Sequence, residues 1–203
     1  MDYDIAEREI KKIISESDSS NLLQNCIEYL YENFSKYSWA GIYIIKGNSL
    51  ILGPWKGKQA TEHTKIPIGK GICGYAAKTG RTEIVSDVSS DDRYLACFVS
   101  TRSEIVVPIK KNGNTIGEID IDSDIPNAFD SKDAVFLEKI ADMLTKHIYC
   151  RWFFSTQDLH HSLMSSEKVR SSLYSKSKDN DLKFIVFEYF LNVEACQYEF
   201  LPK

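Results

Sequence analysis

Cys97 is followed by Glu104, and then by Glu118, Asp120 and Asp122 at alternate positions in the run ACFVSTRSEIVVPIKKNGNTIGEIDID. A thiol is a soft nucleophile and carboxyl groups beside it can carry protons. The set therefore suits attack on an electrophilic sulfur with protonation of the departing group. Strand side chains two apart share a face, so Glu118, Asp120 and Asp122 line one side of a strand and Gly117, Ile119 and Ile121 the other. In the preceding arm, Glu104, Val106 and Pro108 alternate with Ile105, Val107 and Ile109, and the two apolar sets must coincide. A two-residue Asn112-Gly113 turn would set Ile105 opposite Asp120 and mix the faces. A three-residue Lys111-Asn112-Gly113 loop with Gly113 left-handed sets Glu104 opposite Asp120 and Ile105 opposite Ile119, and this is the predicted register. It gathers Glu104, Asp120 and Asp122 in one patch. Acidic residues on an antiparallel sheet ordinarily face solvent, but the thiol just upstream argues for a pocket wall.

A second thiol, Cys73, lies in Gly69-Lys70-Gly71-Ile72-Cys73-Gly74, a literal GxGxxG. A dinucleotide site needs a parallel strand before the glycines and a βαβ unit after them, whereas Pro67 and a loop-rich stretch flank this one. The glycines are better read as a tight loop opening a helix. Cys73 then falls in the first helical turn, where the dipole favours its thiolate. Cys26 sits beside a helical stripe and is read as a core residue.

The elements that must position these residues follow from periodicity and turn signals. Ile5, Ile10, Ile13 and Ile14 mark a short helix over 3–15, and Leu23, Ile27, Leu30 and Phe34 mark a second over 20–34, capped by Asp18 or Ser19. Trp39 to Lys46 and Leu50 to Trp55 form a hairpin joined at Gly47-Asn48 and ended by Gly53-Pro54 and Gly57. Short strands are predicted at Thr64 to Ile68 and Glu83 to Val85, with a helix from Gly71 through Ala77 between them. Asp130 caps a last helix carrying Phe136, Leu137, Ile140, Leu144 and Ile148. Adjacent strands flanked by helices, without strict βα alternation, predict an α+β fold around a central antiparallel sheet. The predicted domain spans 1–150. Residues 151–203 form a C-terminal extension whose serine- and lysine-rich start reads as a weak helix or linker. Its apolar end, FIVFEYFLNV, fits helix or strand and needs cover from the domain, a partner or a second copy of the chain, so a homodimer is one expectation.

At 203 residues, 43% hydrophobic, the chain can bury one domain with an extension. A net charge of -4 and a pI near 5.6, without a basic stripe, exclude nucleic acid as the expected partner and favour small molecules. The N-terminus lacks the basic and apolar regions of a signal peptide, and no apolar run approaches a membrane span. Five widely spaced cysteines fit reduced thiols, so the expected location is cytoplasmic. No zinc-ligand spacing accompanies the four histidines, and neither a metal nor a cofactor is expected. GxSxG, P-loop and HExxH motifs are absent, which disfavours hydrolases, P-loop kinases and zincins.

SWAGIY at 38–43, LILGPWKGKQA at 50–60, IGKGICG at 68–74, SEIVVPI at 103–109 and GEIDIDS at 117–123 together resemble a GAF domain, and more narrowly the free methionine-(R)-sulfoxide reductases. The resemblance covers about residues 20–148 and implies a GAF-type antiparallel sheet flanked by helices. It also implies an attack by the Cys97 thiolate on the sulfoxide sulfur of free methionine sulfoxide, leaving a sulfenic acid that a second cysteine and then a thioredoxin-like reductant resolve. It places substrate carboxylates at Glu104, Asp120 and Asp122 and aromatic walls at Trp39, Tyr43 and Trp55. The chain departs from the family pattern at three places: Thr61 stands where a resolving cysteine is usual, Phe98 where an acidic residue follows the attacking one, and Arg93-Tyr94 where Gly-His is usual. With Thr61 there, Cys73 is the expected internal partner thiol. The alternatives are a non-catalytic GAF sensor that binds a small molecule and a purely structural interaction protein, which would leave the acidic patch and Cys97 without a role.

Overall fold

The computed structural model describes residues 2–18 and 20–148, so expectations for the C-terminal extension lie outside the described residues. Helices α1 (Tyr3–Glu16) and α2 (Leu22–Asn33) precede the hairpin β1 (Trp39–Lys46) and β2 (Ser49–Gly57). Then follow β3 (Lys65–Pro67), α3 (Gly71–Thr79), β4 (Glu83–Val85), a 3₁₀ turn at Val88–Ser90, β5 (Ser103–Lys111), β6 (Asn114–Ser123) and α4 (Ser131–Ile148). The six strands form one antiparallel sheet in the order β3-β2-β1-β6-β5-β4, as the α+β reading requires. No helix among the described residues is long and apolar enough to cross a membrane.

Two local expectations are corrected. The second strand runs past the predicted end at Trp55 to Gly57, and Gly53-Pro54 does not end it but lies in a bulge opposite Ile42, which absorbs a proline that cannot donate to a ladder. Helix α2 starts at Leu22 with Asn21 as its N-cap and no side-chain cap bond, and the Asp18 carbonyl accepts from the Asn21 and Leu22 amides instead. Asp130 does cap α4: its Oδ1 accepts from the Lys132 and Asp133 amides at 2.7 and 3.3 Å, while Asp133 Oδ2 accepts from the Asp130 amide at 2.9 Å.

The central hairpin corrects the predicted register. Lys111 pairs with Asn114 across a two-residue turn, with Asn112 at φ 50° and Gly113 at φ 80°, the left-handed pair of a type I′ turn. A one-residue bulge then leaves Ile116 unpaired, so Ile109 faces Gly117, Ile105 faces Ile121 and Glu104 faces Asp122. Asp120 lies opposite Val106, not Glu104. The bulge does what the three-residue loop was invoked to do, since it returns Ile105, Ile109, Ile119 and Ile121 to one face.

Strand β1 extends both faces. Ala40, Ile42 and Ile44 pair with Ile121, Ile119 and Gly117, while Trp39, Gly41 and Tyr43 pair with Asp122, Asp120 and Glu118. The aliphatic face meets α2 and α4, on which α1 packs, and Ile10, Ile27, Leu30, Leu137, Ile140 and Leu144 of these helices are fully buried. Each such side chain contributes about 1.5–3 kcal/mol of burial free energy. The other face carries α3 and the loop from 86 to 102, and there the candidate residues collect.

Candidate active site

Glu104, Glu118, Asp120 and Asp122 stand on neighbouring strands β5 and β6 and all point to the α3 side. None is solvated: their exposures are 5, 0, 2 and 2%. Both oxygens of Glu118 and the Oδ1 atoms of Asp120 and Asp122 accept no hydrogen bond among the described residues. Ionised carboxylates so placed would be costly, and the groups keep their protons instead. Burial first, and mutual repulsion second, holds Glu104, Glu118 and Asp122 well above the usual carboxylate range. Burial pushes Asp120 to about 7. The sheet face is a proton store near neutral pH. Glu118, read in the sequence only as part of the acidic stripe, is its most buried member.

Cys97 lies at the edge of this patch, half-buried. Its Sγ is 3.1 Å from His63 Nδ1 and donates to the Leu95 carbonyl at 3.5 Å. Burial raises its pKa, and Asp120, Asp122 and Glu104 raise it further, while a hydrogen bond with Thr61 pulls the other way. The thiol thus stays protonated until a base removes the proton, and the His63 nitrogen is in contact to do so. Sequence reasoning missed His63, because 34 residues separate it from Cys97 and no local spacing signals the contact. Thr61, the position where a resolving cysteine is usual, is buried in the same contact set and accepts from the His63 amide at 3.1 Å. Tyr43 holds this segment in place, since its buried hydroxyl donates to the His63 carbonyl at 2.9 Å.

Cys73 falls in the first turn of α3 as predicted, but the expected thiolate does not follow. Its thiol is buried and donates to Glu104 Oε1 at 3.7 Å. Burial, then the charges of Asp120, Glu118 and Glu104, raise its pKa well above the ordinary value. The half-charge at the end of a nine-residue helix loses to desolvation and to three carboxyl groups. The GxGxxG glycines serve packing: Gly69 and Gly71 take φ of 87° and 70°, and a Cβ on Gly74 would press on the Pro67 carbonyl at 2.6 Å. The preceding strand β3 is antiparallel to β2, so no dinucleotide fold surrounds them. Cys73 Sγ and one oxygen each of Glu104 and Asp120 lie within 4.8 Å of one another, a donor set that local sequence spacing did not suggest.

The predicted aromatic residues gather over the same face. Trp39, Tyr43, Cys73 and Phe98 belong to one buried cluster against which Trp55 and Cys97 pack. The Trp39 indole lies over the bare backbone of Gly41 and Gly57, where any Cβ would overlap the ring, and stacks on Trp55 at 6.2 Å. Phe98 tilts against Trp39 at 6.1 Å. Between them opens a cavity of about 140 Å³ that also touches Ser38, Ser100, Lys58 and Asp124. Arg93 fastens the loop that carries Cys97. Its guanidinium bonds Asp91 at 2.7 and 3.0 Å and Glu83 at 2.9 Å, and lies over the Tyr75 ring at 4.6 Å.

The chain that carries this arrangement is similar to known proteins. The GAF domain model matches residues 18–148. Over 146 residues the chain is 40% identical to the free methionine-R-sulfoxide reductase of Saccharomyces cerevisiae, covering 70% of this chain and 78% of that protein. The type II free methionine-R-sulfoxide reductase structure from Thermoplasma acidophilum superposes with a TM-score of 0.63 at 40% identity, covering 64% of this chain and 92% of that one. The free methionine-R-sulfoxide reductase of Neisseria meningitidis, solved in complex with its substrate, gives 0.67 at 35% identity over 72 and 87% of the two chains. The chain therefore belongs to the GAF domain family, where its relatives include proteins named free methionine-R-sulfoxide reductases.

Proposed function

We propose that this chain is an oxidoreductase that reduces free L-methionine (R)-sulfoxide to methionine in the cytoplasm. The observation that carries the reading is the 3.1 Å contact between Cys97 Sγ and His63 Nδ1 at the rim of the buried acid cluster. His63 accepts the thiol proton, and the Cys97 thiolate attacks the sulfoxide sulfur. A proton from a carboxyl that burial keeps protonated, Glu104 or Asp122, goes to the sulfoxide oxygen, while Asp120, which titrates near 7, is the group that ionises. The protonated oxygen passes to the Cys97 sulfur as the substrate S–O bond and the new S–S bond break, so sulfur leaves as the thioether methionine and Cys97 becomes a sulfenic acid. Carboxylates left ionised among Glu104, Asp120 and Asp122 hold the substrate ammonium, which a peptide-bound methionine lacks. Trp39, Tyr43 and Trp55 wall the substrate's apolar arm.

The sulfenic acid then needs a second thiol. Cys73 lies near enough to Cys97 for the two to affect each other electrostatically. Its attack on the Cys97 sulfur would release water and form a disulfide for a thioredoxin-like dithiol to reduce. Purified protein given the two sulfoxide epimers, each free and N-acetylated, under dithiothreitol should release methionine from the free (R) form alone. Saturable binding of that epimer with no methionine released would make the chain a sensor instead.

A further inference from the structure

The proposed chemistry does not account for the full number of acids around Cys73. Its Sγ and one oxygen each of Glu104 and Asp120 lie within 4.8 Å of one another, all three residues buried. Glu118, wholly buried with both oxygens unpartnered among the described residues, faces the same thiol, and Asp122 adds an unpartnered buried oxygen beside Glu104. One soft donor and several hard ones, all anionic when deprotonated and in no ion pair with a protein cation among the described residues, make a cage for a positive ion. A zinc ion bound at 2.0–2.3 Å to sulfur and oxygen brings its ligands to about 3.5 Å from each other, so the observed spacing closes with small side-chain shifts. A thiolate ligand selects against Mg²⁺ and Ca²⁺, which take oxygen shells.

We propose that Cys73, Glu104 and Asp120 form a binding site for a thiophilic divalent cation of the Zn²⁺ class, supported by Glu118 and Asp122. Binding replaces the Cys73 proton, and that of whichever carboxyl is protonated, by the metal, and these protons pass to solvent. The ion occupies the oxygens that the reductase reading assigns to the substrate ammonium. On that reading, and only for this consequence, Zn²⁺ is a competitive and chelator-reversible inhibitor.

Reduced, metal-free full-length protein titrated with Co²⁺ should show saturable binding with a sulfur-to-cobalt charge-transfer band, and Zn²⁺ should displace the Co²⁺, releasing the band. Cys73→Ala and Asp120→Asn should each remove the saturable band while Cys97→Ala keeps it, and Glu118→Gln should weaken the affinity about tenfold. Zn²⁺ should raise the thermal unfolding midpoint of the unsubstituted protein and leave that of folded Cys73→Ala in place. No saturable binding, or a band that survives Cys73→Ala, overturns the proposal. Loss of the band in His63→Ala and Cys97→Ala, with retention in Cys73→Ala, would put the ion on the Cys97 pair and overturn it as well. These optical readings are independent of turnover: metal binding without sulfoxide reduction would defeat the reductase reading alone.

Discussion

Ile119 and Asp120 are chain neighbours in β6, with 0 and 2% exposure, yet they point to opposite sides of the strand and meet different surroundings. Around Ile119 are Ile42, Val107 and the helix α4, so its burial stabilises the fold with no polar atom to satisfy. Around Asp120 are Gly41, Val106, Cys73 and three further carboxyl groups, with an oxygen left unpartnered among the described residues. Equal burial therefore has opposite consequences. The aliphatic face supplies the free energy that lets the acidic face remain dry and poorly satisfied, and dryness is what keeps protons on its carboxyls. Such local conflict with ordinary packing rules is where function is expected.

The largest effect expected from breaking this contrast is on chemistry at the acidic rim. Cys97→Ser should abolish methionine release from the free (R)-sulfoxide, whereas Cys26→Ala, on the helical side, should change stability and leave the rate near normal. Methionine release with dithiothreitol as reductant checks both, and an active Cys97→Ser would remove Cys97 as the attacking thiol. His63→Ala should lower turnover by about 10²-fold or more, the range of a positioned base, and should slow iodoacetamide alkylation of Cys97. Equal alkylation rates in the two proteins would mean that His63 does not take the thiol proton.

Neighbouring substitutions sharpen the contrast further. Ile119→Ala should cost about 2–5 kcal/mol of stability through the cavity it leaves, read from urea midpoints. Asp120→Asn should keep the shape and raise the KM for the free sulfoxide, losing about 1.5–3 kcal/mol of a charge-assisted contact. The acidic face should also carry a pH signature. Asp120 has a pKa raised from 3.8 to about 7 in the folded state, so between these values the native protein holds more protons than the unfolded chain. Stability should be greatest at the acid end of that window and fall as pH rises through 7. Urea unfolding from pH 5 to 8 should show a shallower fall in Asp120→Asn, and identical slopes would reject Asp120 as a contributor. The smallest effect concerns the aromatic platform: Gly41→Ala should cost about 1–3 kcal/mol, because the new methyl displaces the Trp39 ring.

Alternation along β5 and β6 determined by itself that Glu104, Glu118, Asp120 and Asp122 share a face away from the isoleucines, because the side-chain period of a strand is fixed by its geometry. Glycine and capping signals likewise determined the opening of α3 and the start of α4, and five ordered blocks pointed to the GAF fold. Burial of the acidic face was a tertiary decision, since α3 and the 86–102 loop cover it from elsewhere in the chain. So was the register, which depends on a bulge at Ile116 that an isoleucine does not advertise. The sign of the Cys73 shift also reversed there: a helix start favours a thiolate, but three carboxyl groups arriving from distant strands disfavour it more strongly. The His63–Cys97 contact belongs to the same class, because only the folded sheet and the Tyr43 bond to the His63 carbonyl bring that loop to the thiol.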